Sequence, residues 1–541
     1  MKKINLIGSA LLMTLTFHEA LALECPDKNS APVCPTSGAT LLDETYPTQA
    51  FVISNQPYMP TKDAKKVTRN FVSKVIANYD YEKVPQIILP MTDKKDFDVL
   101  VADIKNQLTQ KKLPEEKINA IIGQITYTPI QSYTWQQDWF ESFVDLKTGS
   151  PSIRQIDSYN RVWPDSGEKL SKAGEQCAIS QGSNIKEAYS PNASARNTED
   201  VSFGSGEMGG NIEGAPGGFC LVGDNQGSVF TNQFCGSPEN VIQLQTSWLA
   251  VGHVDEIFKI IPTQYNDGRP KECEFSLMAA SPKKAMELMS NPKQGQIPFM
   301  DLDVDNPEKD AAESRNTRTN IRFGGNYVTC EYINDIVKKR PGGIKTLPAG
   351  ARTVLLKLIF GNAQAQDVSN EEKMLVELQN NCSSNIDQVS NYEIQEMMKL
   401  DKRFTTLNDA IDESIEKDKA LIKSKILSRL PQCAKYYDEL DVPNIFYGGY
   451  TMENPETKKV ELAKPGSTNS FLPNPTNSVL MNKTVVFPDT GNNLFNGYLK
   501  DEMKKRKIKS DFISSWDYAH LGAGNIHCSS HSIPHCRPAG K

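Results

Sequence analysis

Past residue 17, the 541-residue sequence has no apolar run near the roughly 20 residues that a helix needs to cross a bilayer, which excludes a polytopic membrane protein. A basic excess is also missing. The 60 Lys and Arg are outnumbered by 66 Asp and Glu, the net charge is −6 and the pI about 5.7, so a nucleic-acid module with a basic stripe is excluded. No exact short repeat occurs, which sets aside solenoid arrays. What is present is ordinary for a globular chain, with 38% hydrophobic and 23% charged residues over a length that buries a large core.

Lys2 and Lys3, the apolar run from Ile4 to Phe17, and then Ala20-Leu21-Ala22 follow the charged, apolar, small-residue order of a secretory signal peptide. The expectation is a signal peptide over 1–22, a mature chain from Leu23 with no membrane span, and a secreted or periplasmic location. Thiols outside the cytoplasm tend to pair, so the eleven cysteines read as disulfides with one left over. Cys25 with Cys34, and Cys220 with Cys235, are near enough in sequence to close short loops. If Cys528 is the free thiol, Cys536 is half of a disulfide. The partners of Cys177, Cys273, Cys330, Cys382, Cys433 and Cys536 stay open.

Residues 23–82 start rich in proline and polar residues and predict a tethered N-terminal extension held by a local disulfide, with the core beginning at residue 83. Lys83 to Leu89 predicts a buried strand. Phe97, Leu100, Val101, Ile104 and Leu108 mark one face of a helix over Asp96 to Leu108. Ala120 to Tyr127 predicts a second strand, leading into the segment Trp135 to Asp145. Residues 180–210 read as a long exposed loop before the turn Gly209-Gly210-Asn211-Ile212-Glu213. Ser247 to Ile261 is apolar and β-prone, Phe275 to Ala280 is a strand, and Lys283 to Met289 a helix. Residues 368–430 predict a helical insertion packed on one side of the core, and Asn454 to Ser470 needs no regular structure. Recurrent strand and helix units suit a circular α/β fold.

Chemistry gathers in three distant segments: Gln137-Asp138, Gly252-His253-Val254-Asp255-Glu256 and Ile526-His527-Cys528. Two carboxylates can hold a planar guanidinium by paired hydrogen bonds, a histidine can move protons, and a thiolate can attack the central carbon. On a strand, His253 and Asp255 would face one side while Val254 packs into the core. Trp135, Trp139 and Phe140 surround Asp138 in sequence and suit the wall of a cation pocket. Alone, each motif has an ordinary reading: a strand-end His-x-Asp, a buried aromatic strand, a disulfide cysteine, surface carboxylates at Glu141, Asp157 and Glu213. His527, Cys528, His531, His535 and Cys536 also offer zinc ligands, but at no strong zinc spacing, and a zinc-bound Cys528 is not a free nucleophile.

Together, Trp135-Gln136-Gln137-Asp138, Gly210-Asn211-Ile212-Glu213, the run from Trp248 to Glu256, and Ile526-His527-Cys528 stand in the order seen in peptidylarginine deiminases. Ala279-Ala280-Ser281-Pro282 agrees, as does Phe471-Leu472-Pro473-Asn474 before Val479-Leu480-Met481. From about residue 83 to about 535 the chain resembles the catalytic domain of that family, without the immunoglobulin-like N-terminal domains of the animal enzymes. The Gly-Asn-Ile-His-Cys string is also similar to agmatine deiminases, which share the fold with arginine deiminases.

The resemblance implies an α/β fold of the pentein type, a five-bladed propeller of pseudo-fivefold ββαβ units, with residues 83–541 as the deiminase domain. It implies that Cys528 attacks the guanidinium carbon and that Asp138 and Asp255 hold its nitrogens. His253 would protonate departing ammonia and then take a proton from water, turning arginine in peptides or proteins into citrulline. Trp135 would line the substrate pocket, and Arg161 resembles the family arginine that binds substrate backbone carbonyls. Calcium is implied at one site made of Gln137, Glu141 and Glu213 with backbone carbonyls at Gly209 and Ile212. A second would use Asp157, Ser158 and Asn160, where Trp139 replaces an acidic residue of the family pattern. The alternatives are a deiminase for free arginine or agmatine, and a non-catalytic arginine-binding protein.

Overall fold

The computed structural model describes residues 33–34, 41–56, 69–73, 85–129, 134–145, 150–156, 186–189, 208–297, 320–329, 390–515 and 518–537, apart from isolated positions within these spans. The strands are β1 (Thr48–Ile53), β2 (Gln86–Pro90), β3 (Ile125–Thr128), β4 (Phe140–Asp145), β5 (Ser150–Ile156), β6 (Lys186–Tyr189), β7 (Ile212–Ala215), β8 (Phe219–Gly223), β9 (Val241–Leu244), β10 (Phe258–Pro262) and β11 (Phe275–Ser281). They continue with β12 (Asn320–Phe323), β13 (Asn326–Thr329), β14 (Asp438–Pro443), β15 (Phe446–Tyr447), β16 (Thr451–Glu453), β17 (Val460–Leu462), β18 (Asn469–Ser470), β19 (Val479–Met481), β20 (Thr484–Pro488), β21 (Lys509–Ile513) and β22 (Ser530–Pro534). The helices are α1 (Lys94–Gln110), α2 (Glu115–Gly123), α3 (Ser228–Cys235), α4 (Pro282–Ser290), α5 (Asn391–Leu400), α6 (Lys402–Arg429) and α7 (Asn493–Lys505).

Five sheets share one pattern, in which an outer strand runs antiparallel to a central strand and the central strand runs parallel to the third. Four follow the chain: β4-β5-β6, β7-β8-β9, β10-β11-β14 and β19-β20-β21. A parallel neighbour needs a long crossover, and helices lie in it: α3 between β8 and β9, α4 to α6 between β11 and β14, α7 between β20 and β21. The fifth sheet is built from both ends of the chain. In it, β22 lies antiparallel to β1, β1 parallel to β2, and β3 is added at the edge.

Strands β2, β8, β11 and β20 are buried along their whole length, as continuous apolar runs are when both faces of a sheet are covered. On α1, Phe97, Leu100, Ile104 and Leu108 pack with Phe51, Leu89, Val486 and Ile526. Asp93 starts that helix by accepting the Lys95 N–H. On α6, Leu407, Ile411, Ile415, Ile422 and Ile426 form a stripe at helical spacing against Leu221, Val254, Phe258 and Leu277. Polar anchors tie α6 to the sheets: Asp418 accepts the Gln245 N–H, and Arg429 donates to the Gly217 and Gly218 carbonyls. The predicted helical insertion is therefore part of the core from residue 391 onward. Among the described residues no helix is long and apolar enough to cross a membrane.

Several expectations are corrected. Cys34 pairs with Cys536, not with Cys25, so the staple joins the two ends of the chain across a separation of 502 residues. The predicted extension over 23–82 accordingly supplies β1, the central strand of the fifth sheet, and the boundary at 83 does not separate it from the core. Polar and proline-rich flanks hid a strand whose residues Phe51, Val52 and Ile53 are completely buried. Residues 120–123 end α2 and are not part of β3. Asn454 to Ser470 contains β17 and β18. Cys220–Cys235 forms as expected, Cys273 pairs with Cys433, and Cys528 is free. Cys25, Cys177, Cys330 and Cys382 lie outside the described residues. Replacing Cys34 and Cys536 by Ser should lower unfolding stability by about 2–5 kcal/mol in denaturant titration; an unchanged midpoint would show that this closure does not stabilise the chain.

Candidate active site

Each of the five repeated sheets has a turn just before its outer antiparallel strand, and the candidate residues sit in those turns. Gln137 and Asp138 precede β4, Gly209 to Asn211 precede β7, His253 to Glu256 precede β10, Asn477 precedes β19, and Cys528 precedes β22. Contacts across the chain bring these turns together. The Cys528 thiol lies 3.5 Å from Asp255 Oδ2 and receives an N–H from Asn477 Nδ2 at 3.1 Å. His253 Nδ1 is 4.0 Å from Asp138 Oδ1, which also faces the Gly210 N–H at 3.5 Å. Asp138, His253, Asp255 and Cys528 are all buried.

The segment around His253 is not the predicted strand. Val254–Glu256 is a turn of 3₁₀ helix, and β10 starts only at Phe258. Gly252 takes a φ of +84°, a conformation that favours glycine. Glu256 Oε1 accepts the N–H groups of Gly252 and His253 at 3.1 and 3.0 Å, locking the turn. Asn474 Nδ2 holds the Glu256 carbonyl at 2.6 Å. Val254 still points into the core and both chemical residues into the site. Burial raises the Glu256 carboxyl to about 8, against the pull of those N–H groups.

A second layer of charge supports Asp255. His527 Nδ1 lies 2.8 Å from Asp255 Oδ2, and His527 Nε2 lies 2.9 Å from Glu44 Oε1. With a carboxylate on each side, both ring nitrogens serve as donors. Lys259 pairs with the other oxygen of Glu44. Burial alone would raise the Glu44 and Asp255 carboxyls and lower His527. Instead Lys259 and His527 hold Glu44 at about 2, His527 holds Asp255 below its ordinary value, and Glu44, Glu213 and Asp255 hold His527 at about 9. Asp255 Oδ1 is buried with no hydrogen-bond partner among the described residues. Burial, with Asp255 and Asp138 beside it, pushes the Cys528 thiol well above its ordinary range.

Next to this group lies a nest of oxygens. A Cβ on Gly209 would sit 2.0 Å from the Gln137 carbonyl oxygen and 2.6 Å from Glu141 Oε1, so only glycine brings this backbone so close. Burial and neighbouring acids push Glu141 well up, and burial raises Glu213 to about 7. Gln137 Nε2 donates to Glu141 at 3.2 Å while its Oε1 faces His531 Nδ1 at 2.8 Å. Presenting that oxygen to a cation requires the amide to turn over. Burial pushes His531 down to about 3, so it is a neutral ring that can donate to, or accept from, either end of the amide.

Trp135 is half-buried, and its ring occupies the space a Cβ on Gly524 would need, four residues before Cys528. Trp139, Asp157, Ser158, Asn160 and Arg161 lie outside the described residues. The zinc-ligand reading of the C-terminal tail does not hold, because Cys536 is disulfide-bonded, His527 is held between carboxylates and His531 faces Gln137. Glu44, Lys259 and Asn477 were not singled out from sequence. Asn477 follows the Pro473-Asn474 string by only a few residues, whereas nothing near Glu44 signals chemistry.

The profile of the protein-arginine deiminase (PAD) family matches residues 235–536, more than half of the chain and including His253, Asp255, Asn477 and Cys528. The chain belongs to the protein-arginine deiminase family. No curated protein matches it. Among solved structures it is similar to the agmatine deiminase of C. jejuni, at 9% identity over 92% of this chain and 96% of that one with a TM-score of 0.40. It is similar also to the agmatine deiminase of Enterococcus faecalis, at 12% identity over 95% and 99% with a TM-score of 0.34. Membership places the chain among guanidine-modifying deiminases with an α/β fold.

His527 titrates near 9 in the folded chain against an ordinary 6.5, so its contribution to stability is complete below pH 6.5 and is lost as pH rises through about 9. In chelator, thermal unfolding should therefore show wild type losing its advantage over His527→Gln between those limits. Parallel curves for the two chains would contradict the assignment.

Proposed function

We propose that this protein hydrolyses the guanidinium of arginine in peptides or proteins to citrulline and ammonia through a covalent intermediate on Cys528. The observation that supports this most is Asp255: Oδ2 is held by His527 and Cys528, while Oδ1 is buried with no hydrogen-bond partner among the described residues. A buried carboxylate oxygen of that kind is costly without a cation. A guanidinium docked between Asp255 and Asp138 supplies one, in the planar, multiply hydrogen-bonded form that carboxylates bind well. Its positive charge also lowers the cost of ionising Cys528, which the same carboxylates otherwise oppose.

As the guanidinium docks, Cys528 passes its proton to His253, and the thiolate forms a bond to the central carbon while the C=N electron pair moves onto nitrogen. The carbon–nitrogen bond to a terminal nitrogen then breaks as His253 gives that nitrogen a proton, and ammonia leaves. His253 next accepts a proton from water, whose oxygen attacks the thiouronium carbon. The carbon–sulfur bond then breaks with its electron pair going to sulfur, and the thiolate takes the remaining hydroxyl proton to restore the Cys528 thiol. The carbonyl product is citrulline, and His253 releases its proton to the departed ammonia or to solvent. Asn477 Nδ2, 3.1 Å from the sulfur, is placed to stabilise the thiolate each time it forms.

The oxygen nest fits calcium, a hard cation that takes carboxylate, amide and backbone oxygens. Gln137, Glu141 and Glu213 would hold it with carbonyls at Gly209 and Ile212. When bound, it supplies the charge that allows these crowded carboxylates to ionise together. The second proposed set remains Asp157, Ser158 and Asn160, with Arg161 as a substrate-backbone ligand and Trp135 as a pocket wall. The repeated ββαβ pattern, with its first unit closed by β22, supports reading the architecture as a five-bladed propeller of the pentein type. The sequence of residues 1–22 supports export to a secreted or periplasmic location.

An arginine peptide blocked at both ends, incubated in calcium and in chelator beside free arginine and agmatine, separates the substrate classes by mass spectrometry. Citrulline in the blocked peptide, lost in chelator, is the expected result. Product from free arginine or agmatine alone would move the activity to small guanidines, and no product from any would leave an arginine-binding protein. Cys528→Ser and Asp255→Asn should each lower kcat/KM by roughly 10³-fold or more, and full activity in either would refute its role.

A further inference from the structure

Glu44 lies in the turn before β1, far from the family-matched residues in sequence, yet its side chain is almost enclosed in the site. Its two oxygens have separate duties. One meets His527 Nε2 at 2.9 Å and the other pairs with Lys259, whose ammonium is itself buried on β10. His527 in turn faces Asp255 Oδ2 at 2.8 Å. Lys259, Glu44, His527 and Asp255 thus form one buried line of alternating charge that ends on the carboxylate beside the Cys528 sulfur.

An imidazole turns about its bond to the backbone unless both edges are held, and a carboxylate held at one oxygen presents the other in a fixed direction. Glu44 holds the far edge of the His527 ring. The ring then fixes Asp255 through Oδ2 and leaves Oδ1 aimed for a ligand. The antiparallel register of β1 on β22 and the Cys34–Cys536 bond keep Glu44 against the turn that carries His527 and Cys528.

We propose that Glu44 is a positioning residue for the guanidinium clamp, acting on substrate through His527 and Asp255 without touching it. This rests on reading the site as a deiminase centre. Glu44 therefore sets affinity for the guanidinium, and it does so from the N-terminal segment, so the segment before residue 83 completes the site.

The test uses the full chain carrying Cys528→Ser, which keeps the pocket but cannot turn over, with calorimetric affinity for the blocked arginine peptide at saturating calcium. Glu44→Met, similar in length but without an acceptor, should weaken binding roughly tenfold. Glu44→Gln, which keeps an acceptor for His527, should stay within about threefold of the parent. His527→Ala should weaken binding at least as much as Glu44→Met, and the double variant should be no weaker than His527→Ala alone, because both act along one path. Equal affinities for Glu44→Met and Glu44→Gln, or losses that add in the double variant, would overturn the proposal while wild type still makes citrulline. Absence of both turnover in wild type and binding in Cys528→Ser would overturn the deiminase reading itself.

Discussion

Crowding Glu44, Asp138, Glu141, Glu213, Asp255 and Glu256 around one thiol is the constraint on which the rest of the site depends. Buried carboxylates are tolerated only with matching cations or donors. The chain provides some of these itself, through Lys259, His527 and the backbone N–H groups that serve Glu256. It does not provide all of them, since Glu141 and Glu213 are pushed upward and Asp255 keeps one oxygen in reserve among the described residues. Two positive charges of different kinds would relieve the remainder: a guanidinium between Asp138 and Asp255, and a divalent cation at the oxygen nest. In the proposed mechanism substrate charge and thiol ionisation are thereby linked, because the carboxylates that would hold the guanidinium are among the groups that push the Cys528 thiol upward.

The fold makes this crowding possible. Five sheets with the same strand pattern each place a turn before the outer strand, and each turn supplies part of the site. No turn carries enough on its own. The β22–β1 pairing and the Cys34–Cys536 bond bring both ends of the chain to the same sheet, which puts Glu44 within reach of His527. Local devices then fix each turn, such as Glu256 under the His253 backbone and Asn477 against both the sulfur and the N–H of Cys528.

Sequence reading singled out Asp138, His253, Asp255 and Cys528, which the fold brings together and buries, because their chemistry is concentrated in short strings, and α1 because its apolar period is undisturbed over Phe97 to Leu108. It mistook 247–257 for a strand, since an apolar run carries no sign of the backbone turn that Gly252 and Glu256 impose. It missed β1 because the buried Thr48, Ala50, Phe51, Val52 and Ile53 are embedded in polar, proline-bearing flanks. Glu44 and Lys259 were invisible for a different reason: their meaning arises only when residues more than two hundred positions apart meet, and neither has a local pattern. The pairing of Cys34 likewise follows from strand registry, which spacing cannot reveal.

Rapid quenching of the reaction with a blocked arginine peptide, followed by digestion and mass spectrometry of the peptide containing Cys528, probes the central chemistry most directly. A substrate-derived adduct on Cys528 that appears before citrulline and decays as citrulline accumulates is the predicted result. Citrulline formed with no adduct on Cys528, and formed as fast by Cys528→Ser, would contradict nucleophilic attack by this thiol.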